Sequence, residues 1–269
     1  MLSILYEDNH LLVVNKPAAV ATMGAESGPT VYSLVGDYLK KKYNKPGNVF
    51  VGIVSRLDSM TTGVLVVART SKGASRLTPQ FAPIRIQSAK AMRKTVARAD
   101  KIYLAVVEGD LKTPLTSPDQ PQSLVDWVRK DDAAHRMRVV APNAPGAQQA
   151  ELQFIRLAET NVGGRDATIL AVRLRSGRKH QIRLQFAHRG SPVWADRKYG
   201  GEESLSKGIG LHSFLLRIDH PTLKQRMQWL ASVPASWKAL RGVLPSDEEI
   251  RETLVRAFQL PPLATNDSQ

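Results

Sequence analysis

Apolar residues in this chain occur in short runs of strand length, and this pattern limits the folds that the chain can adopt. Residues 11–14 and 64–68 are typical of these runs. None approaches the roughly 20 apolar residues that a membrane-spanning helix needs. An alternating pattern, typical of a strand with one buried face, is formed by Leu170, Val172 and Leu174 with Arg173 and Arg175. Because strands outnumber helices and are mostly joined by turns, the sequence predicts an α+β fold with mixed or antiparallel β-sheets and flanking helices.

Individual elements can be placed along the chain from periodicity and turn signals. We expect a hairpin from residues 3–6 and 11–14, and a helix that follows an N-cap at Thr30. Residues 112–149 contain five prolines and little periodicity, so mostly loop is expected there, with short strands such as 137–140. Further strands are expected at 49–54, 64–69, 102–107, 151–157, 167–175, 209–218 and 227–231, and helices at 71–81 and 179–188.

The charge balance indicates a polyanionic partner. Lys and Arg number 38 against 24 Asp and Glu, a formal net charge of +14. Nucleic acid is the first candidate and an acidic membrane surface the second. The chain has no Cys, which excludes disulfides, zinc-thiolate sites, iron–sulfur clusters and a Cys nucleophile. Its first residues lack the basic segment of a secretory signal, so we expect a cytoplasmic protein that does not bind membranes.

A carboxylate in a tight turn is the first candidate for chemistry. Asp58 lies between two apolar segments, two residues after Arg56 and five before Gly63, which permits a sharp return of the chain. Most carboxylates in such turns bond local amides and have no catalytic role. Taken alone, the turn leaves both interpretations open.

A basic segment in the second half of the chain is the next candidate. Six basic residues and no acid lie from Arg173 to Arg189. Ile182 and Phe186 form an apolar pair on the predicted helix, which places Arg183 at the border of its buried side. The guanidinium fork suits a carboxylate or a phosphate. The alternative is a solvated basic face without function.

The strand predicted at 102–107 carries an aromatic residue on its other face. Tyr103 lies opposite Ile102, Leu104 and Val106, either as an ordinary strand residue or as a surface on which a base stacks. The preceding stretch, 82–101, holds six basic residues and one acid. We expect these basic residues to bind phosphates, with a solvated loop as the alternative.

Together, the order and spacing of these segments resemble the RluA/RluD-type pseudouridine synthase family. The resemblance covers roughly residues 2–240, with Ser55 where the family has His and Ala195 where it has Gly. The matching segments are Asn15-Lys16-Pro17, Ser55 to Thr70, Lys101 to Gly109, Gly177 to Arg183, Gly190-Ser191-Pro192, Ala195-Asp196, Tyr199-Gly200, Leu211-His212 and His220-Pro221.

The resemblance implies an isomerase that converts a uridine in structured RNA to pseudouridine. It also implies the pseudouridine synthase fold with a central catalytic cleft. The implied isomerisation needs neither a cofactor nor a metal. Asp58 would be catalytic, as nucleophile or as base in an elimination, and would pair with Arg183. Tyr103 would stack on the flipped uracil and Arg56 would fill the vacated space. The residues implied in RNA binding are Arg56, Lys101, Arg178, Lys179, His180 and Gln181.

The sequence predicts a catalytic domain over residues 1–245, followed by a short acidic helix and tail at 246–269. We expect a monomer that acts on rRNA or tRNA. A noncatalytic RNA-binding protein on the same fold is the main alternative. A glycosidase would need a second carboxylate at a fixed separation, which the matched segments lack. A DNA-binding regulator is disfavoured because no helix-turn-helix or finger pattern is present.

Overall fold

The computed structural model describes residues 2–82, 98–111, 120–240 and 242–262. Most of the basic stretch predicted at 82–101, including Arg85, Lys90, Arg93 and Lys94, therefore lies outside the described residues. The chain forms two compact units. The described part of unit 1 comes from Met1–Lys101 and Ser213–Ala231, and that of unit 2 from Ile102–His212 and Ser232–Ala264.

The described residues contain both strands and helices, which confirms the predicted α+β class. The strands in chain order are β1 (Ser3–Glu7), β2 (Leu11–Lys16), β3 (Gly52–Ile53), β4 (Thr62–Ala68), β5 (Asp100–Glu108), β6 (Gln122–Asp131), β7 (Arg136–Val140), β8 (Gln148–Val162), β9 (Arg165–Leu174), β10 (Leu211–Asp219) and β11 (Arg226–Leu230). The helices are α1 (Val31–Lys42), α2 (Ser71–Phe81), α3 (Gln181–Ala187) and α4 (Asp247–Phe258). Short 3₁₀ helices lie at Arg197–Tyr199 and Ala235–Leu240.

Unit 1 is built on strands that follow the order β1-β2-β4-β10, with β11 beside β10 and β3 beside β4. The first two strands form the predicted hairpin, and β2 pairs antiparallel with β4. Every residue of β4 is buried, as in a strand covered on both faces. The strand expected at 49–54 is shorter, because only Gly52 and Ile53 pair with β4.

Unit 2 contains an antiparallel series in the order β5-β9-β8-β6-β7. The loop expected over most of 112–149 is wrong between Gln122 and Asp131, where a ten-residue strand pairs with β7 on one side and β8 on the other. Pairing on both edges satisfies the backbone groups of this strand despite its weak apolar alternation. Residues 112–119 lie outside the described ranges.

The helices begin and end close to their predicted positions. Thr30 accepts a hydrogen bond from the Ser33 amide in a capping box at the start of α1, as expected for an N-cap. Helix α3 starts at Gln181 and not at 179, because His180 has a left-handed backbone with φ of 53°. No helix in the described part of the chain combines the length and apolar content that crossing a bilayer requires.

The acidic helix predicted near the end of the chain is present as α4. Ser246 caps it and forms a capping box with Glu249. The side chains of Ile250 and Leu254 are fully buried, and the carbonyl of Phe258 accepts a hydrogen bond from Arg173 at 3.2 Å. Helix α4 therefore packs within unit 2.

Candidate active site

Asp58 lies in unit 1 on a turn whose backbone is fixed on both sides. The Thr22 hydroxyl donates to the carbonyl of Leu57 at 2.8 Å and accepts from the Leu57 amide at 3.1 Å. The Lys16 ammonium donates to the carbonyl of Ser59 at 3.0 Å. Buried side chains thus hold the residues immediately before and after the carboxylate, which is itself partly exposed. The turn therefore presents Asp58 in a defined position.

Lys16 is a charged side chain with no solvent exposure. Besides Ser59, its ammonium donates to the carbonyls of Pro17 and Val20, both at 2.8 Å, so three acceptors receive its three N–H groups. Burial lowers the pKa of Lys16 to about 7, while the negative charge of Asp58 acts in the opposite direction. The sequence indicated only that Lys16 ends a strand, and its link to the Asp58 turn is a finding of the structure.

The turn returns to the sheet at Gly63, where no side chain fits. Its φ is 109°, and a Cβ atom built there would lie 2.2 Å from the backbone oxygen of Ser213. The Ser213 hydroxyl also donates to the carbonyl of Val64 at 3.1 Å. The missing side chain of Gly63 therefore permits both the positive φ and the close contact with the backbone of Ser213.

Arg56 and Met60 lie at the surface on either side of Asp58. Arg56 is exposed, and 38% of Met60 is exposed, which is unusual for a large apolar side chain. The position of Arg56 leaves its guanidinium accessible to a polyanion. Its role in replacing a flipped base stays a prediction.

Arg183 lies in unit 2 and is buried together with Asp196. The side chains are 6% and 1% exposed, and Asp196 accepts from Nε at 2.7 Å and from Nη2 at 2.8 Å. Such a two-bond pair fixes the plane of a guanidinium. The expected border position is wrong, because every residue from Gln181 to Phe186 is buried. The pairing of Arg183 with Asp58 stays a prediction.

The loop that carries Asp196 is held by a carboxylate at the end of β5. Glu108 accepts from the amides of Ala195, Glu202 and Glu203 at 3.3, 2.9 and 3.0 Å. These bonds connect the end of β5 to the loop, and through Asp196 to Arg183. Sequence reasoning quoted Asp196 only as part of a motif and assigned it no role.

Tyr199 joins His180, Arg183 and β7. Its hydroxyl lies 2.8 Å from Nδ1 of His180 and accepts from the Met137 amide at 3.0 Å. The guanidinium carbon of Arg183 lies 5.1 Å from the centre of the Tyr199 ring. His180 is therefore oriented by Tyr199, which sequence reasoning did not single out.

The other basic-segment residues differ in their accessibility. Gln181 is buried, and its amide group bonds to Ser176, the Glu151 carbonyl and Gln185. Arg178 donates to the carbonyl of Gln149 at 2.8 Å. Lys179 is exposed. The basic segment is thus only partly solvated, and the buried side chain of Gln181 holds the loop at its start.

Tyr103 and Lys101 are placed on β5. Tyr103 is 7% exposed and lies in register with Val172 of β9. Burial lowers the pKa of Lys101 to about 8, and the charge of Arg98 acts in the same direction. Across the described ranges, no group of three His, Asp or Glu side chains is arranged to hold a metal ion.

Comparison with known proteins identifies the family. A family model described as RNA pseudouridylate synthase matches residues 10–188. The chain belongs to this family. A ribosomal large subunit pseudouridine synthase D from Yersinia pestis is 31% identical over 92% of this chain and 72% of its own length. An uncharacterized RNA pseudouridine synthase from Bacillus subtilis is 31% identical over 89% of this chain and 71% of its own.

A solved human structure confirms the pseudouridine synthase fold. Human RNA pseudouridylate synthase domain containing 1 covers 98% of this chain and 97% of its own, with a TM-score of 0.67 and 22% identity. The resemblance stated from the sequence motifs is therefore confirmed at the level of family and fold.

One departure of this pseudouridine synthase from the family pattern has a visible structural effect. Ala195, where the resemblance leads one to expect Gly, has a φ of 64°. Left-handed backbone costs a residue with a Cβ about 1–2 kcal/mol. The loop that holds Asp196 therefore contains a strained residue. Nothing in the structure explains the other departure, Ser55 in place of His.

Proposed function

We propose that this synthase isomerises one uridine of large-subunit ribosomal RNA to pseudouridine. The base leaves its N-glycosidic bond, turns, and rejoins the same ribose through carbon, so no atoms are gained or lost. Ribosomal RNA is favoured over tRNA because the Yersinia pestis relative is named as a large-subunit enzyme. The basic net charge of +14 supports a polyanionic substrate.

Asp58 is proposed to act at the sugar of the target uridine. The observation that carries this assignment is the fixation of its turn by Lys16 and Thr22. The carboxylate acts either as a nucleophile at the anomeric carbon or as a base in an elimination. Arg183 is proposed to orient it, and the bidentate bond to Asp196 supports this because it gives the guanidinium one fixed plane.

The remaining residues are proposed to bind the RNA. Tyr103 stacks on the flipped uracil, and Arg56 fills the space that the base leaves. Lys101, Arg178, Lys179 and His180 contact the RNA, whereas Gln181 supports their loop from its buried position. We also propose that the protein is a cytoplasmic monomer, which sedimentation of the purified protein with and without RNA would test.

Mapping pseudouridines by chemical labelling tests the proposal. We expect one modified position in large-subunit rRNA to disappear when the gene is deleted. Expression of Asp58→Asn should leave the position unmodified, whereas Asp37→Asn, which changes an exposed carboxylate of α1, should restore it. A lost position in tRNA would contradict the substrate, and restoration by Asp58→Asn would contradict the role of Asp58.

A noncatalytic RNA-binding protein gives a different result. In that case the deletion strain keeps every pseudouridine, while the purified protein still binds rRNA. Asp58→Asn would then have no measurable effect in the cell or in the binding assay.

A further inference from the structure

The β6–β7 hairpin has one face in the core and one face away from it. Val128 on β6 and Met137 on β7 are buried in one hydrophobic cluster of unit 2. Because side chains alternate along a strand, their neighbours in sequence lie on the opposite face. We call this the outer face. Its residues are Trp127, Arg129 and Asp131 on β6 and Arg136, Arg138 and Val140 on β7.

Two arginines lie directly opposite each other on the outer face. Arg129 is in register with Arg138, whereas the next pair on this face, Asp131 and Arg136, combines opposite charges. Like charges in directly opposed positions destabilise a strand pair. The carboxylate of Asp131 offsets part of this repulsion, because it lies 3.8 Å from Nε of Arg138.

Contacts within the protein leave most donors of these two arginines available. Arg129 donates once, to the carbonyl of Pro145 at 3.1 Å, and its stem lies along Gly146. Nε of Arg138 is 3.8 Å from a carboxylate oxygen of Asp131, which is beyond hydrogen-bond distance. Each guanidinium carries five N–H donors. Within the described residues, therefore, two forks with open donors face the same space.

The surface beside these arginines can receive a ligand. A depression of about 530 Å³ lies beside them, and its charged lining combines three basic residues with two carboxylates: Arg129, Lys130, Arg138, Asp131 and Asp132. The basic residues outnumber the carboxylates. Trp127 lies two residues before Arg129 on the same face, about 7 Å away along the strand. Trp127 is partly exposed, so its ring can pack against a planar group next to the arginines.

We infer that the outer face is an RNA-binding surface, in which Arg129 and Arg138 hold one backbone phosphate and Trp127 packs against a neighbouring nucleotide. Guanidinium forks match phosphate geometry, and aromatic rings stack on bases of any sequence. This inference rests on the proposed function for the choice of RNA. An acidic protein segment would satisfy the arginines but supplies no regularly placed planar group for Trp127.

Binding of a large-subunit rRNA transcript over a series of salt concentrations tests the inference. We expect Arg129→Gln/Arg138→Gln to weaken binding about 10-fold and to reduce the slope of log K against log salt by about 0.7–0.9, the value for one phosphate. Trp127→Leu should weaken binding with little change in slope. The charge-conserving pair Arg129→Lys/Arg138→Lys should weaken binding while it keeps the slope.

Lys40→Gln/Lys41→Gln is the matched control for the double Gln variant. It also removes two positive charges, but from exposed side chains of α1 that do not line the depression. We expect it to leave rRNA binding at the wild-type level. Equal losses in the two variants would overturn the inference, because general attraction would then explain both.

Thermal unfolding separates binding from a structural role. Removing the opposed charges should leave the double Gln variant at least as stable as wild type. Unchanged rRNA affinity of the double Gln variant together with a lower Tm would overturn the inference. Unchanged rRNA affinity together with lost binding to polyglutamate, which represents an acidic protein segment, would overturn it as well. The inference alone fails if the wild-type protein makes pseudouridine and the variants bind rRNA as tightly as wild type. The proposed function alone fails if the variants lose rRNA binding as expected but the wild-type protein makes no pseudouridine.

Discussion

Asp196 accepts hydrogen bonds from both Nε and Nη2 of Arg183, and both side chains are almost completely buried. The pair fixes the guanidinium of the residue that we propose to orient the catalytic carboxylate. We therefore propose that Asp196 is a positioning residue whose effect on catalysis passes through Arg183.

We expect Asp196→Asn to lower kcat by about 100-fold, the effect of misplacing a catalytic group by about 1 Å. The RNA contacts remain, so KM should change little. Loss of one partner of a buried ion pair should also cost about 3–5 kcal/mol of the free energy of unfolding. Single-turnover kinetics and urea unfolding measure the two effects, and Asp196→Glu keeps the charge if the Asn variant does not fold.

Asp126→Asn is the control for this prediction. Asp126 accepts from Arg189 at 2.9 Å and from Gln185 at 2.7 Å, so its substitution removes another ion pair near the same helix. We expect it to lower stability but to leave kcat unchanged. Equal losses of kcat in both variants would show that Asp196 acts only through stability.

Ala195→Gly should raise the free energy of unfolding by about 0.5–1 kcal/mol. Relief of the left-handed strain exceeds the entropy that glycine loses on folding. Ala195→Val should have the opposite sign, because a β-branched side chain is less compatible with this backbone. Urea unfolding measures both changes, and a Gly variant less stable than wild type would contradict the strain.

Lys16→Met should destabilise unit 1 by about 2–3 kcal/mol. The substitution leaves the carbonyls of Pro17, Val20 and Ser59 without their donor in a buried position. The exposed Lys40→Met in α1 is the control and should stay within about 0.5 kcal/mol of wild type. Hydrogen exchange of the 57–61 amides should accelerate in the Lys16 variant alone if Lys16 fixes the Asp58 turn.

A carboxylate at the end of β1 makes unit 1 sensitive to acid. Glu7 accepts from Tyr38 and Lys42 at 2.7 Å and from Tyr43 at 2.6 Å, and lies 3.0 Å from Arg69. Burial acts to raise the pKa of Glu7, but its hydrogen bonds and the charge of Arg69 outweigh burial and lower the pKa from 4.5 to about 2. Its stabilisation is complete above pH 4.5 and is lost as the pH falls through about 2.

We expect Glu7→Gln to lower the free energy of unfolding by about 2 kcal/mol at pH 7. The difference from wild type should shrink steadily as the pH falls from 4.5 towards 2, because the wild-type carboxylate loses its advantage. Urea unfolding across this range measures the difference. The exposed Glu26→Gln serves as control, and a gap that does not depend on pH would contradict the assignment.

Sequence patterns predicted those helices and strands that depend mainly on interactions between residues close together in the chain. The cap at Thr30 and the apolar spacing after it were sufficient for α1. Strand β6 was missed because Val125 and Trp127 are apolar on the face away from the core, which removes the alternation that identifies a strand. The position of β6 depends on its pairing with β8. Local periodicity does not reveal the register between segments that are distant in the chain.

The same limit applies to the site. Motif spacing pointed to Asp58, Tyr103 and Arg183 as site residues, which stays a prediction, but it did not point to the groups that hold Asp58 and Arg183 in place. Lys16 lies 43 residues before Ser59, and Asp196 lies 13 after Arg183. Asp196 is the first acid after the basic segment in the sequence. Local periodicity did not show that α3 is buried on all sides, which is why its arginine requires a carboxylate partner.

The packing of Gly63 against Ser213 has a consequence for biosynthesis. The Ser213 hydroxyl reaches the carbonyl of Val64 across 149 positions of the chain. A ribosome therefore releases all of Ile102–His212 before it supplies the segment that completes unit 1. During that interval the nascent chain carries the Asp58 turn without strand β10. A product truncated before Ser213 would contain Asp58 but would lack the strand that packs against the end of its turn.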